Sequence, residues 1–192
     1  MIRFLAGSIL FVACSLSTFS AESAYRLIVL DLSTSMKDSM DGQSRLDLSK
    51  ETLLANLSHV SENEFIALRI FGHGKEAATA CQATELKIPF GKGASHLAEL
   101  RSQVQSLEAT GVATPIVYAL EKVADDFATV SGTKKLLFLS DGEETCDGKL
   151  EDVVPELVEQ NVEIQTIGIG DGVSFETLGE LVSYNNCLLY TS

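Results

Sequence analysis

Asp31, Ser33 and Ser35 stand on alternate residues at the end of an apolar run, in "LIVLDLSTSM" at 27–36. In an extended segment, residues i, i+2 and i+4 share a face. One carboxylate and two hydroxyls can therefore aim at one point. Asp141 ends a second apolar run, in "FLSDGEETC", with Gly142 after it to allow a tight turn. Thr114 lies in "TGVATPI", just before a helical pattern, and adds a third hydroxyl. Two carboxylates and three hydroxyls are all hard oxygen donors. They suit Mg²⁺, with Mn²⁺ or Ca²⁺ as substitutes, and do not suit zinc or copper. Mg²⁺ favours near-octahedral coordination and usually keeps waters. If the hydroxyls bind directly, the carboxylates can act partly through water, leaving a position for a carboxylate from outside.

Those residues need elements to hold them. Apolar, strand-like runs occupy 26–30, 65–71, 135–139 and 162–169. A short alternating run at 85–90 suits a sheet edge. Helical spacing of apolar residues marks 46–60, 94–107, 115–128 and 150–160. Pro115 is expected at a first helical position, and Ser174 is expected to cap a last helix at 175–184. Strands alternating with helices predict a doubly wound α/β domain over 24–186. Its sheet is mainly parallel, with helices on both faces and one short antiparallel edge strand. In a parallel sheet Asp31 and Asp141 share the carboxyl edge, where ligands bind in such folds.

The remaining features bound the setting. The chain has 192 residues and a formal net charge of −13, which argues against nucleic acid and anionic membrane surfaces as partners. At 1–23, Arg3 precedes an apolar run and then small residues, the pattern of an export signal rather than a membrane span. "LFVAC" at 10–14 is similar to a bacterial lipobox, which would make Cys14 a lipidated N-terminus, although Phe11 does not suit that motif. An exported protein would be periplasmic or secreted, touching a membrane only through such an anchor. Export also makes cysteine pairing the default for Cys81, Cys146 and Cys187. No CxxC spacing is present to suggest zinc. The tail "CLLYTS" at 187–192 reads equally as a short final strand or as adapter-derived sequence, in which case Cys187 is not native and the domain is truncated.

"DLSTSM", "GVATPI" and "LSDGEETC" together resemble the metal-ion-dependent adhesion site of a von Willebrand factor type A domain. The resemblance covers nearly all of the chain after the first 23 residues. "FGHG", "CQATELKIPFG" and "SDGEETC" are similar to exported bacterial members. It implies Asp31, Ser33, Ser35, Thr114 and Asp141 as the metal set, and Mg²⁺ as the cation. It also implies a protein partner whose Asp or Glu completes the shell. With Cys81 and Cys146 then placed in loops on the ligand edge, a disulfide between them is reasonable. Free thiols and a Cys81–Cys187 pair remain as alternatives. Asp38, three residues after Ser35, would serve a second cation in some members; Ser39 follows where those have another acid, which favours a solvated aspartate. His73 in "FGHG" is expected as a turn histidine held by backbone hydrogen bonds rather than as a base.

A non-enzymatic binding module is therefore expected. A phosphatase of haloacid-dehalogenase type is one alternative, but Ser33 stands where such enzymes carry a second Asp. A magnesium-chelatase-like subunit is another, against which export and a disulfide both speak. No GxSxG nucleophile elbow is present, and no GxGxxG follows the first strand.

Overall fold

The apolar runs become one six-stranded sheet. The computed structural model describes residues 23–61, 63–170, 177, 178, 181 and 189–191. The chain forms β1 (Ala24–Asp31), β2 (Ser39–Met40), β3 (Gln43–Ser44) and α1 (Arg45–Asn56), then β4 (Phe65–Phe71), α2 (Ala77–Ala80) and β5 (Thr84–Gly91). There follow α3 (Ala94–Ser106), α4 (Ile116–Ala128), β6 (Thr133–Ser140), α5 (Leu150–Glu159), β7 (Val162–Gly168) and β8 (Leu189–Thr191). The large sheet has the order β5-β4-β1-β6-β7-β8. Neighbours are parallel except β5, which runs antiparallel to β4 at the edge. β2 and β3 form a separate small hairpin.

Both faces of the sheet are covered, which explains why its central strands are apolar without interruption. Leu27 and Val29 face one way and pack with α4 and α5 through Leu120, Phe127, Val154 and Leu157. Ile28 and Leu30 face the other way and pack with α1 and α3 through Leu53, Leu100 and Val104. Side chains of this kind, withdrawn from water, each contribute roughly 1.5–3 kcal/mol. The expected doubly wound fold is therefore present.

Three boundaries differ in detail. β1 begins at Ala24, two residues before the apolar run, and closes on Asp31. The helix expected at 46–60 ends at Asn56 and tightens into a 3-10 turn over Leu57–His59, which still buries Leu57. Pro115 sits at the N-cap of α4 rather than at its first helical residue. The segment 1–22 with Cys14, the Ser174 cap, and Cys187 lie outside the described residues. Of the last helical pattern, Leu178 and Leu181 are described, and both pack into the α4–α5 side of the core. Leu189–Thr191 pairs with β7 from Thr166 to Gly168.

Candidate metal centre

Parallel register sets the first distance in the site. Leu30 lies opposite Leu139, and Asp31 lies opposite Phe71. The ends of β1, β4 and β6 thus meet at one edge. Asp31 is fully buried there. Its Oδ1 accepts the Ser33 amide at 2.7 Å, and its Oδ2 accepts the Ser140 hydroxyl at 2.6 Å. Asp141 is also buried; its Oδ1 accepts the Ser35 hydroxyl at 2.9 Å. The Ser33 and Ser35 hydroxyl oxygens are 3.0 Å apart. Asp31, Ser33, Ser35 and Asp141 are therefore linked in one hydrogen-bonded chain.

The route to this convergence differs from the one that the alternating spacing suggests. The strand stops at Asp31, and Ser35 lies in a 3-10 turn over Thr34–Lys37. Ser33 is held by a bridge to Gly111, and the Thr34 amide donates to the Gly111 carbonyl at 2.9 Å. The Thr34 hydroxyl bonds the same carbonyl. Position 111 requires glycine because its backbone crosses Gly72; a Cβ at Gly111 would lie 1.4 Å from the Gly72 carbonyl oxygen. These contacts fix the loop that carries Thr114.

Thr114 is buried and lines, with Ser35 and Asp141, a cleft of about 250 Å³. Its amide donates to the Thr145 hydroxyl at 2.7 Å, and its carbonyl accepts the Thr145 amide at 3.3 Å. Glu144 ties the same loop to α4. Its carboxylate accepts the Val117 amide at 2.8 Å and the Cys146 amide at 2.6 Å. An acid at a helix N-terminus satisfies orphan donors and complements the helix dipole. Cys146 is bonded to Cys81, with Cα atoms 5.6 Å apart, as the placement of both loops on this edge suggests. All five expected donors thus lie together.

Several participants were not expected from the sequence. Ser140, next to Asp141, holds Asp31. Glu144 and Thr145 in "SDGEETC" tie this loop to the start of α4 and to Thr114. Arg45 donates from Nη1 to Asp141 Oδ2 at 2.6 Å. Arg45 lies just before the helix expected at 46–60, so nothing in the sequence marked it; the fold makes it the first residue of α1, where a positive charge opposes the dipole. Asp38 is exposed, as expected of a solvated aspartate, with its carboxylate 3.5 Å from Arg45 Nη1. His73 differs from its expected role. Its carbonyl accepts the Thr110 hydroxyl at 3.2 Å, but its ring Nδ1 is buried with no hydrogen-bond partner among the described residues. Burial lowers its pKa, disfavouring the charged ring.

The donor set fits a hard divalent cation. Burial pushes the Asp31 carboxyl up to about 6 from 3.8; the hydrogen bonds from Ser140 and Ser33 pull it down, and the Asp141 charge adds to the rise. The groups that bond Asp31 are neutral donors, so its charge is one that a cation would relieve. Among the described residues no cluster of three or more His, Cys, Asp or Glu gathers. A metal here would depend on hydroxyls as well as carboxylates, a donor set that suits Mg²⁺, Mn²⁺ or Ca²⁺ rather than zinc.

A pH dependence follows. A folded pKa above the ordinary one means that the folded chain holds this proton more tightly than the unfolded chain. In chelator, this group's contribution is full below about pH 4 and is lost as pH rises through about 6, a change of about 3 kcal/mol. Asp31→Asn will lack this slope. Denaturant unfolding of both proteins in chelator from pH 4 to pH 7 checks the difference, and parallel profiles would refute it.

Comparison with known proteins places this edge in context. The family model of the von Willebrand factor type A domain matches residues 27–192. The uncharacterized protein YwmC of Bacillus subtilis (strain 168) is 26% identical over 163 residues, covering 82% of this chain and 71% of that protein. A solved von Willebrand factor type A protein from Catenulispora acidiphila superposes with a TM-score of 0.75 at 17% identity, over 89% of this chain and 39% of that one. Proximal thread matrix protein 1 from the mussel byssus superposes with a TM-score of 0.70 at 18% identity, over 90% of this chain and 42% of that one. The chain thus spans about two fifths of either solved protein.

Proposed function

The chain belongs to the von Willebrand factor type A family, and we propose that it is an exported binding module that grasps an acidic residue of a protein partner through a divalent cation. The carrying observation is the hydrogen-bonded chain Asp31–Ser33–Ser35–Asp141, with Thr114 on the same cleft. Ser33, Ser35 and Thr114 would offer hydroxyl oxygens to Mg²⁺ or Mn²⁺, with Asp31 and Asp141 acting directly or through water. When bound, the ion supplies an electrophilic position for a partner's carboxylate. The protein's own part is to hold the five donors in place, and the Asp31 bonds to Ser140 and Ser33 do this from beneath.

Binding is favoured over catalysis by the state of Asp31. A phosphatase of haloacid-dehalogenase type needs that residue as a nucleophile. Here it is fully buried with both oxygens accepting hydrogen bonds. The Cys81–Cys146 bond supports an oxidising compartment, periplasmic or extracellular, over a cytoplasmic chelatase-like setting. An anchor at Cys14 would add a membrane attachment to the same function.

The test is a pull-down from an extracellular or periplasmic extract in Mg²⁺, repeated with chelator. Wild type should retain a partner in Mg²⁺ and release it in chelator, and Asp31→Ala should retain none. Retention that is indifferent to chelator would overturn the metal-dependent part of the proposal.

A further inference from the structure

We infer that Arg45 is a tethered cation of the metal cleft: it competes with the divalent ion for Asp141, and it makes the loaded site favour an anionic ligand. This inference rests on the metal-dependent function proposed above. Arg45 lines the cleft together with Ser35, Thr114 and Asp141. Its Nη1 lies 2.6 Å from Asp141 Oδ2, a short charge-assisted bond to one of the expected metal ligands. The Asp141 side chain is 1% exposed and that of Arg45 is 20% exposed, so solvent screens the pair only in part. Any cation that takes Asp141 as a ligand meets this guanidinium at close range, and the two like charges repel.

Arg45 is held there by construction. It is the first residue of α1, where the dipole disfavours a positive charge, so the helix does not explain it. Asp41 and Gly42, both at positive φ, turn the β2–β3 hairpin that separates Asp38 from Arg45. The Arg45 amide donates to the Asp38 carbonyl at 3.0 Å and closes that excursion. Gly170 leaves room for the side chain, since a Cβ there would lie 2.7 Å from Arg45 Nε. Asp38 Oδ2 is 3.5 Å from the same Nη1 and is exposed to water. It offers the guanidinium a second resting place when Asp141 is taken.

The charge count gives the consequence. Asp31, Asp141 and Arg45 sum to −1 when Asp31 is ionised. A divalent ion brings the buried site to +1, and one carboxylate from a partner brings it to zero. Without Arg45 the loaded site is already neutral, and the same carboxylate leaves it at −1. Arg45 therefore weakens binding of the bare ion and strengthens binding of the anion that follows, so that ion and ligand bind together more readily than the ion alone. Asp38 and Glu143 are exposed, where water and salt damp their influence.

The test is calorimetric titration of Mn²⁺ into the full chain as wild type, Arg45→Gln and Arg45→Lys, followed by acetate into each Mn²⁺-loaded protein. Arg45→Gln should bind Mn²⁺ roughly tenfold more tightly than wild type and bind acetate several-fold more weakly, with Arg45→Lys close to wild type. A merely structural arginine would not give tighter metal binding on removal. Equal or weaker Mn²⁺ binding by Arg45→Gln, with wild type binding normally, overturns the inference and leaves the metal site standing. No Mn²⁺ binding by any of the three overturns both. Should Arg45→Gln fail to fold, the wild type decides. The Arg45 Nε–H resonance should move on Mg²⁺ addition, and an unmoved resonance in a protein that binds Mg²⁺ overturns the inference.

Discussion

Asp31→Ala and Asp141→Ala will each abolish Mg²⁺ binding, yet only the second will cost the fold dearly. Asp141 is paired. Its Oδ2 accepts from Arg45 at 2.6 Å and its Oδ1 from Ser35 at 2.9 Å. Removing it leaves the Arg45 guanidinium only exposed Asp38, 3.5 Å away, and leaves the Ser35 hydroxyl without its acceptor, a loss of about 1.5–3 kcal/mol. Asp31 is different, since burial disfavours its charge and lifts its pKa to about 6. Deleting that carboxylate relieves desolvation at pH 7, which offsets about 1–3 kcal/mol for leaving the Ser140 hydroxyl and Ser33 amide without their acceptor. The net change for Asp31→Ala should stay within about 1 kcal/mol. Calorimetric Mg²⁺ titration and urea unfolding in chelator at pH 7 measure both effects. Equal stability losses would contradict the electrostatic contrast, and unchanged cation binding in Asp31→Ala would sink the site assignment.

Removing the disulfide will destabilise the fold by another route. Cys81 and Cys146 are 65 residues apart, and a crosslink of that span restricts the unfolded chain by about 4 kcal/mol on the chain-entropy account. The double variant Cys81→Ser/Cys146→Ser should lose about that much in denaturant unfolding. It should also bind Mg²⁺ less tightly. Cys146 follows Glu144, which holds the start of α4, and Thr145, which holds Thr114. Freed from Cys81, this loop positions Thr114 and Asp141 less firmly. A double variant as stable as wild type would show that the loop contacts alone hold this edge. Undiminished Mg²⁺ affinity would show that the disulfide leaves the site untouched.

These expectations concern the same few loops, and the sequence was unevenly informative about them. The donors were legible because they sit at the ends of apolar runs. Strand and helix patterns were legible because the side chains of one element repeat within a few residues of each other. The path of Ser35 was not, because a strand end and a 3-10 turn share the same Asp-x-Ser-x-Ser spacing; contacts to Gly111 and Asp141 decide between them. The β2–β3 hairpin at 39–44 was not expected, and only the fold brings Asp38 and Arg45, on its two flanks, within 3.5 Å.

By itself the sequence determined the alternation of strands and helices, the antiparallel edge strand, and the five oxygen donors on one edge. Hydrophobic periodicity is local, and parallel strands carry their carboxyl ends to the same side. Only the tertiary structure decided what surrounds those donors. Ser140 meets Asp31 across 109 residues, Ser35 meets Asp141 across 106, and Arg45 meets Asp141 across 96. Such pairings depend on the order in which strands cross over within the sheet. They also depend on how far each charge is withdrawn from water. No short window of residues carries either quantity, so Arg45 remained hidden until β1 and β6 lay side by side.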